Sequence, residues 1–456
     1  MGEPSTWVTD DNVALFTDLY ELTMLQAYLE EGLLDPAVFS LFFRKLPSAR
    51  RYLLACGLDD VLTYLERIRF DEEALAYLQE RFSFSQPFLE WLAAFRFTGD
   101  VWAMPEGTPV FPQEPLLEVV APLPEAQLIE TFVLNQVHLQ TVLASKASRV
   151  VEAARGRAVV DFGLRRVHGT DAGLKSARAF HVAGVSATSN VLAGLVYGVD
   201  VTGTMAHSYV QAHEDESDSF RAFSELYPRT VLLVDTYDTL EGVRRVIDLA
   251  KARGSAFAVR AIRLDSGDLA ALSKEARHIL DDAGLVDVQI IASGGLDEYK
   301  VDELVAAGAP IDAFGVGTSM GVSDDAPSLD MAYKLTEYAG TGRMKTSTAK
   351  ATLPGRKQVF RIEEEGLASH DVIARADELL AGRPLLVKVM EGGRRLPAGR
   401  ASLDRSRVLA ARERSLLPER LRRLAGDASP YLVEISPRLQ EELERVRAHL
   451  QGKTSL

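Results

Sequence analysis

The sequence predicts an α/β protein with a parallel sheet, of barrel or doubly wound type, behind an α+β region. Two observations carry that expectation. From Ala158 onward, strand-like apolar runs alternate with helical stretches over about six units, the pattern of parallel strands joined by helical crossovers. Each run also ends in a polar or charged cluster, the end at which an α/β barrel keeps its active site. The chain has 456 residues, 47% of them hydrophobic, enough for one large or two ordinary cores.

The N-terminal part is α+β. Residues 13–31 are helical for most of their length, with Asp18 as a cap before Leu19 and with Leu22, Leu25 and Leu29 at helical spacing. FSLFF (39–43) is a strand, and helices follow near 58–67, 71–81 and 86–95. Gly and Pro breaks between alternating apolar residues predict short strands across 97–120. A long helix is expected from about Pro124 to Arg155.

The strand–helix series then begins. VVDF leads to a helix at 171–183, a second helix at 188–197 and a strand VDVTG, and MAHSYVQAH opens another helix. VLLVD (231–235) runs into 238–253, FAVRAIRL (257–264) into 268–284, and VQIIAS (288–293) into 297–307, before IDAFGVG (311–317) closes the series. The strand ends read DFGLRR, GTMAHS, DTYD, RLDSGD, SGGLD and GVGTS. A structural linker needs only a cap and a glycine, so these clusters point to a site. Beyond Met320 come a basic stretch (341–361, with Arg343, Lys345, Lys350 and Arg356), a strand PLLVKVM (384–390), and helices near 416–425 and 437–451.

Composition excludes several classes. With 51 basic and 65 acidic residues the net charge is −14, which argues against a general nucleic-acid binder but not against a local basic pocket. The single cysteine, Cys56, cannot form an internal disulfide, which fits a reducing cytosol and a small buried hydrophobe. The start, MGEPSTWVTDDN, is too polar for a secretory signal, and no apolar run approaches the ~20 residues of a membrane span. A soluble cytoplasmic protein without a membrane partner is expected.

Four groups of residues could carry chemistry. Gly315 to Ser319, with Gly317 and Thr318, follows the last strand, and Ser293-Gly294-Gly295 follows the one before. Small residues there let backbone N–H groups reach phosphate oxygens, and barrels often bind phosphate with these two loops. Arg165, Arg166 and Arg263 stand at strand ends, where a guanidinium fork suits a carboxylate or phosphate. His207, flanked by Thr204 and Ser208 in a strand-to-helix turn, is either a structural cap or a base or phosphoryl acceptor. Asp235, Asp238, Asp265 and Asp268 suit sugar hydroxyls or Mg²⁺ on a polyphosphate, although Asp238 and Asp268 also read as helix N-caps. Neither a P-loop nor a transition-metal spacing is present. The sum suggests transfer of a phosphorylated sugar.

The motifs LFTDLYELTML, DFGLRRVHGTDAGLKSAR, ATSNVLAG, VTGTMAHS, LLVDTYDT, RLDSGDL, FGVGTS and RMKTSTAKATLPGRKQVF stand in one order along most of the chain. In them the sequence resembles the nicotinate phosphoribosyltransferase family, departing only where the usual Gly-Thr-Ser-Asn reads Ala187-Thr188-Ser189-Asn190. The resemblance implies that nicotinate, phosphoribosyl pyrophosphate, ATP and water give nicotinate mononucleotide, pyrophosphate, ADP and phosphate, the entry step of NAD salvage. It implies that ATP phosphorylates His207, and that Tyr20 reaches nicotinate in a neighbouring subunit of a head-to-tail homodimer. Phe162 would stack on the other ring face. Thr204 and Arg263 match nicotinate-site positions, Arg165 and Asp265 lie near the phosphoribosyl group, and Thr318 belongs to the 5-phosphate loop. Ser208, Asp235, Gly294 and Gly317 join them as substrate-site residues. Mg²⁺ would arrive with pyrophosphate and ATP rather than on a dedicated protein site.

The implied architecture is an irregular, type II phosphoribosyltransferase-like α/β barrel (140–335). It would stand beside an N-terminal α/β domain (1–139), with a C-terminal segment (336–456) packing on that domain. Quinolinate or nicotinamide as the substrate, or a non-catalytic metabolite-binding barrel, are the alternatives.

Overall fold

The computed structural model describes residues 5–346, 352–426 and 429–454. Lys350 and the centre of the RMKTSTAK motif lie outside the described residues. The chain divides into two compact units: residues 1–142, 328–421 and 427–456, and residues 143–327 with 422–426.

The second unit holds a six-stranded sheet whose pairings are all parallel. In chain order its strands are Ala158–Asp161, Ala187–Thr188, Val231–Leu233, Ala261–Leu264, Gln289–Ala292 and Ala313–Val316. In space the first and last pair with each other, Val316 opposite Asp161. The second and third therefore form the two edges, giving a curled, incomplete barrel. The strands are short and mostly buried, as a sheet covered on both faces demands. The helices between them bury one stripe each. Thr239–Arg253 buries Val243, Val246 and Ile247, and Leu269–Asp282 buries Ser273, Ala276 and Leu280.

Aspartates start the helices that follow the third, fourth and fifth strands. Asp238 accepts the Glu241 N–H, Asp268 accepts those of Ala270 and Ala271, and Asp297 accepts that of Lys300. Asp238 and Asp268 are thus committed as caps.

Several boundaries differ from the sequence expectation. Ala187–Thr188 is an edge strand, and the helix begins only at Val191, capped by Asn190. VDVTG contributes a single bridge, Val201 to Thr188, before the chain leaves the sheet toward Gly203. The expected helix from Pro124 to Arg155 is two helices, Leu123–Leu128 and Glu130–Ala153, parted at Ile129. Glu216–Leu226 and Leu403–Leu416 are additional helices. The latter ends before Leu417-Pro418, because a residue preceding proline is pushed out of helical geometry. Only Glu419–Arg422 of the expected 416–425 helix remains.

In the first unit, strands from both ends of the chain share one seven-stranded antiparallel sheet. Pro36–Phe43 pairs with Leu117–Pro122 on one side and Met331–Tyr338 on the other, and Asp100–Ala103 joins Val387–Glu391 further along. The C-terminal segment therefore completes the N-terminal sheet.

Helix Leu19–Glu31 packs here with Glu21 fully buried. Its carboxyl accepts hydrogen bonds from the Thr17 hydroxyl and from the N–H and hydroxyl of Thr131. Burial raises its pKa from 4.5 to about 7, although those hydrogen bonds pull the other way. The folded state thus holds a proton that the unfolded chain releases, so stability falls as pH rises from 4.5 toward 7. The loss amounts to about 3 kcal/mol at most. Glu21→Gln is expected to flatten this dependence and to match or exceed the parent in urea melts at pH 8. A variant that keeps the parental slope between pH 5 and 8 would remove Glu21 as its source.

Candidate active site

A cavity of about 960 Å³ opens in the second unit at the C-terminal ends of its strands. Phe162, one residue past the first strand, is held by its N–H to the Val316 carbonyl at 2.9 Å. Its ring fits only because position 315 is glycine: a Cβ there would stand 2.6 Å from the ring. Arg263, on the fourth strand, places its guanidinium carbon 5.8 Å from the centre of that ring. Its Nη2 donates to Asp265 Oδ1 at 3.2 Å and its Nη1 to the Met205 carbonyl at 3.4 Å. Its Nε is buried and makes no hydrogen bond.

Asp265 is fixed from two sides. The Ser293 hydroxyl donates to Oδ1, and the Asp265 N–H donates to Asp235 Oδ2 at 2.8 Å. Asp235 also accepts from the Ser266 hydroxyl at 2.7 Å. It is buried and does not line the cavity, so it braces the Asp265 loop rather than facing substrate. Asp161 does similar work at the first strand's end, accepting the Gly163 N–H and the Thr188 hydroxyl, both at 2.7 Å. Burial raises its pKa against those two hydrogen bonds.

Gly294, Gly317 and Thr318 line the cavity together, as the two-loop pattern anticipates. Ser319 ties the loops by donating to the Leu296 carbonyl at 2.8 Å, and Arg166 donates to Thr318 Oγ1 at 3.0 Å. Gly294 has φ +91°, and a Cβ there would lie 1.8 Å from the Asp265 carbonyl oxygen. Gly294→Ala is therefore expected to displace the Asp265 loop and lower kcat/KM at least about a hundredfold, since displacing a catalytic group by ~1 Å costs that much. Steady-state kinetics on folded protein would check it, and near-parental activity would rule out the close approach.

His207 opens helix His207–Gln211 but does not cap it. Its Nδ1 lies 3.1 Å from the Thr236 hydroxyl and its Nε2 3.8 Å from Asp265 Oδ2. Thr204 and Arg165 line the cavity, and the Thr204 hydroxyl donates to the Val231 carbonyl at 2.6 Å. Ser208 is exposed and does not line the cavity. Tyr20 belongs to the first unit, half-exposed on helix Leu19–Glu31, its hydroxyl 3.4 Å from Glu21. Burial and the Glu130 and Glu21 charges raise its pKa.

Asp297, the end of SGGLD, lines the cavity, as do Lys300 and Asp324, which sequence reasoning missed. Lys300 Nζ donates to the Gly295 carbonyl at 2.7 Å. A signal existed: Lys300 sits in the first turn of helix Glu298–Ala306, where the helix dipole disfavours a cation. Among the described residues no three or more His, Cys, Asp or Glu side chains cluster as metal ligands. Among them, too, no helix is long and apolar enough to cross a membrane.

Two family models match this chain. The nicotinate phosphoribosyltransferase (NAPRTase) N-terminal domain covers residues 15–138, and the nicotinate phosphoribosyltransferase (NAPRTase) family covers 157–350. The chain is 57% identical over 434 residues to nicotinate phosphoribosyltransferase pncB2 of Mycobacterium tuberculosis, covering 95% of this chain and 94% of that protein. It is 43% identical to the nicotinate phosphoribosyltransferase of Bacillus subtilis, over 81% of this chain and 77% of that one. Its fold superposes on human nicotinic acid phosphoribosyltransferase with a TM-score of 0.85 at 29% identity, covering 94% and 99% of the two chains.

Proposed function

This chain belongs to the nicotinate phosphoribosyltransferase family, and from that premise we propose how its cavity carries out the reaction. It joins nicotinate to phosphoribosyl pyrophosphate, releasing pyrophosphate, and couples this to ATP hydrolysis through His207. The observation that carries the reading is Arg263 over Phe162, its buried Nε unpaired, beside a histidine facing Asp265. An aromatic ring with a guanidinium beside it fits a ring bearing one carboxylate.

Phe162 supports the nicotinate ring while Arg263 orients the carboxylate. The Gly294 and Gly317–Thr318 loops hold the 5-phosphate. The ring nitrogen then bonds to the ribose carbon as the bond to pyrophosphate breaks, and positive charge develops on the sugar. Asp265 supplies a carboxylate to oppose that charge. Asp265, whose Oδ2 is turned toward His207, would be the residue to help hold a Mg²⁺ that arrives with the phosphates, and that ion would supply charge neutralisation for the departing pyrophosphate. His207 Nε2 takes the γ-phosphoryl group of ATP, ADP leaves, and water later cleaves the phosphorus–nitrogen bond.

The assay is direct: protein, Mg²⁺, ATP and phosphoribosyl pyrophosphate, with nicotinate, nicotinamide or quinolinate as acceptor. Nicotinate mononucleotide formed with ADP is the expected result. Product from another acceptor alone, or none at all, would overturn the reading.

We further propose a homodimer in which Tyr20 closes the partner's nicotinate site. Its neighbours Phe16 and Leu19 are also exposed, which suits a surface that a second copy covers. Tyr20→Ala is expected to raise the KM for nicotinate roughly three- to tenfold, the worth of one aromatic contact, with less effect on ATP hydrolysis. Equal losses in both would count against ring stacking.

A further inference from the structure

Lys146 is the least exposed ionised lysine of the barrel unit, with 1% of its side chain reaching solvent. Its ammonium meets three carboxylates: Glu298 at 2.6 Å, and Asp324 and Asp325 at 2.9 Å each. Arg149 Nε supports Glu298 from the other side at 3.0 Å. Burial would push an ammonium toward its neutral form, but the three carboxylates outweigh it and raise the pKa.

What Lys146 holds is the wall of the cavity. Glu298 is the first residue of the helix that carries Lys300, and Asp297 immediately before it lines the cavity. Asp324 lines it too, on the segment that follows Thr318 and Ser319. A cavity meant for phosphates is thus walled in part by carboxylates.

We propose that Lys146 is a positioning residue for the phosphate subsite. Together with Arg149 it offsets most of the charge on Glu298, Asp324 and Asp325 from behind, so the wall repels the sugar phosphate less, and it fixes the two loops together. The inference rests on the phosphate assignment of those loops. The lysine touches no cavity surface itself and acts wholly through its partners.

The test uses the full-length protein and ribose 5-phosphate, with binding measured by calorimetry at low and high salt and turnover measured in parallel. Lys146→Met is expected to weaken ribose 5-phosphate at least tenfold at low salt and to raise the KM for phosphoribosyl pyrophosphate similarly. The KM for nicotinate should stay within about twofold. The deficit should shrink as salt screens the exposed carboxylates, whereas parental binding should weaken with salt. Adding Glu298→Gln to Lys146→Met should recover part of the loss. Should Lys146→Met not fold, Asp324→Asn alone, at a half-exposed position, should tighten ribose 5-phosphate at low salt. Parental binding in folded Lys146→Met would overturn the proposal, as would equal rises in both KM values or a deficit insensitive to salt. In the fallback, so would unchanged or weaker binding in Asp324→Asn. Parental protein that fails to bind ribose 5-phosphate would instead overturn the phosphate assignment of the loops, and Lys146's role there with it.

Discussion

Arg263→Gln is expected to lower kcat/KM for nicotinate by about 10²–10³, and to lower it far less for nicotinamide. Truncating one partner of a buried, hydrogen-bonded charge costs about 2–5 kcal/mol, and Arg263 is such a partner: its side chain is 15% exposed and pairs with Asp265. The substrates differ in one respect that matters here. Nicotinate brings a carboxylate to the guanidinium, while nicotinamide brings a neutral amide. Removing the charge therefore removes the preference, and the ratio of the two substrates' kcat/KM is the informative readout. Arg263→Lys should keep the charge yet recover only part of the ratio, since an ammonium lacks the fork that spans both Asp265 and a second acceptor. If Arg263→Gln slows both substrates equally, Arg263 serves the loop through Asp265 rather than the carboxylate, and the acid specificity lies elsewhere.

The sequence carried most of the barrel because its signal is repetitive. The crossover helices carry apolar stripes, those after the third, fourth and fifth strands also have a capping aspartate, and each strand end has its own polar cluster. Asp238 and Asp268 illustrate the limit of that signal. Both stand beside site residues in sequence, and both are spent on helix N–H groups. Asp235 stands in the same pattern yet lies one layer back, bonded to the Asp265 N–H. Whether an acid at a strand end faces the cavity or the backbone depends on the loop's path, which residue types alone do not determine. VDVTG fails for a different reason. Its valines favour a strand, but only Val201 finds a partner, at the sheet edge beside Thr188. Asp297 stands at the end of SGGLD but reads as a helix cap, which it is, and the wall residue Asp324 was illegible because its ion-pair partner, Lys146, lies more than 140 residues earlier in the chain.

His207→Ala is expected to abolish the transfer of label from γ-labelled ATP to the protein, and with it the benefit of ATP to the transfer reaction. The expectation rests on the surroundings of this side chain. Nδ1 lies 3.1 Å from Thr236 Oγ1, and the tautomer in which Nδ1–H donates to that hydroxyl leaves the lone pair on Nε2, the nitrogen that faces Asp265 Oδ2 at 3.8 Å. That separation is too long for a hydrogen bond, so Nε2 keeps its lone pair available for phosphorus. A phosphoryl group there adds about −1.5 to −2 charges, by analogy with other phospho-residues, beside the carboxylate that opposes charge on the sugar. The two sites are then coupled. A linkage of about 1–3 kcal/mol corresponds to a 5- to 150-fold change in substrate affinity, and that is the size expected for the ATP effect on the KM for phosphoribosyl pyrophosphate. His207→Ala should therefore bind phosphoribosyl pyrophosphate with or without ATP equally, while still forming some nicotinate mononucleotide. Thr236→Val should slow phosphorylation without preventing it, because the tautomer is no longer fixed but the nitrogen remains. Acid-labile label persisting in His207→Ala would move the phosphoryl acceptor to another residue.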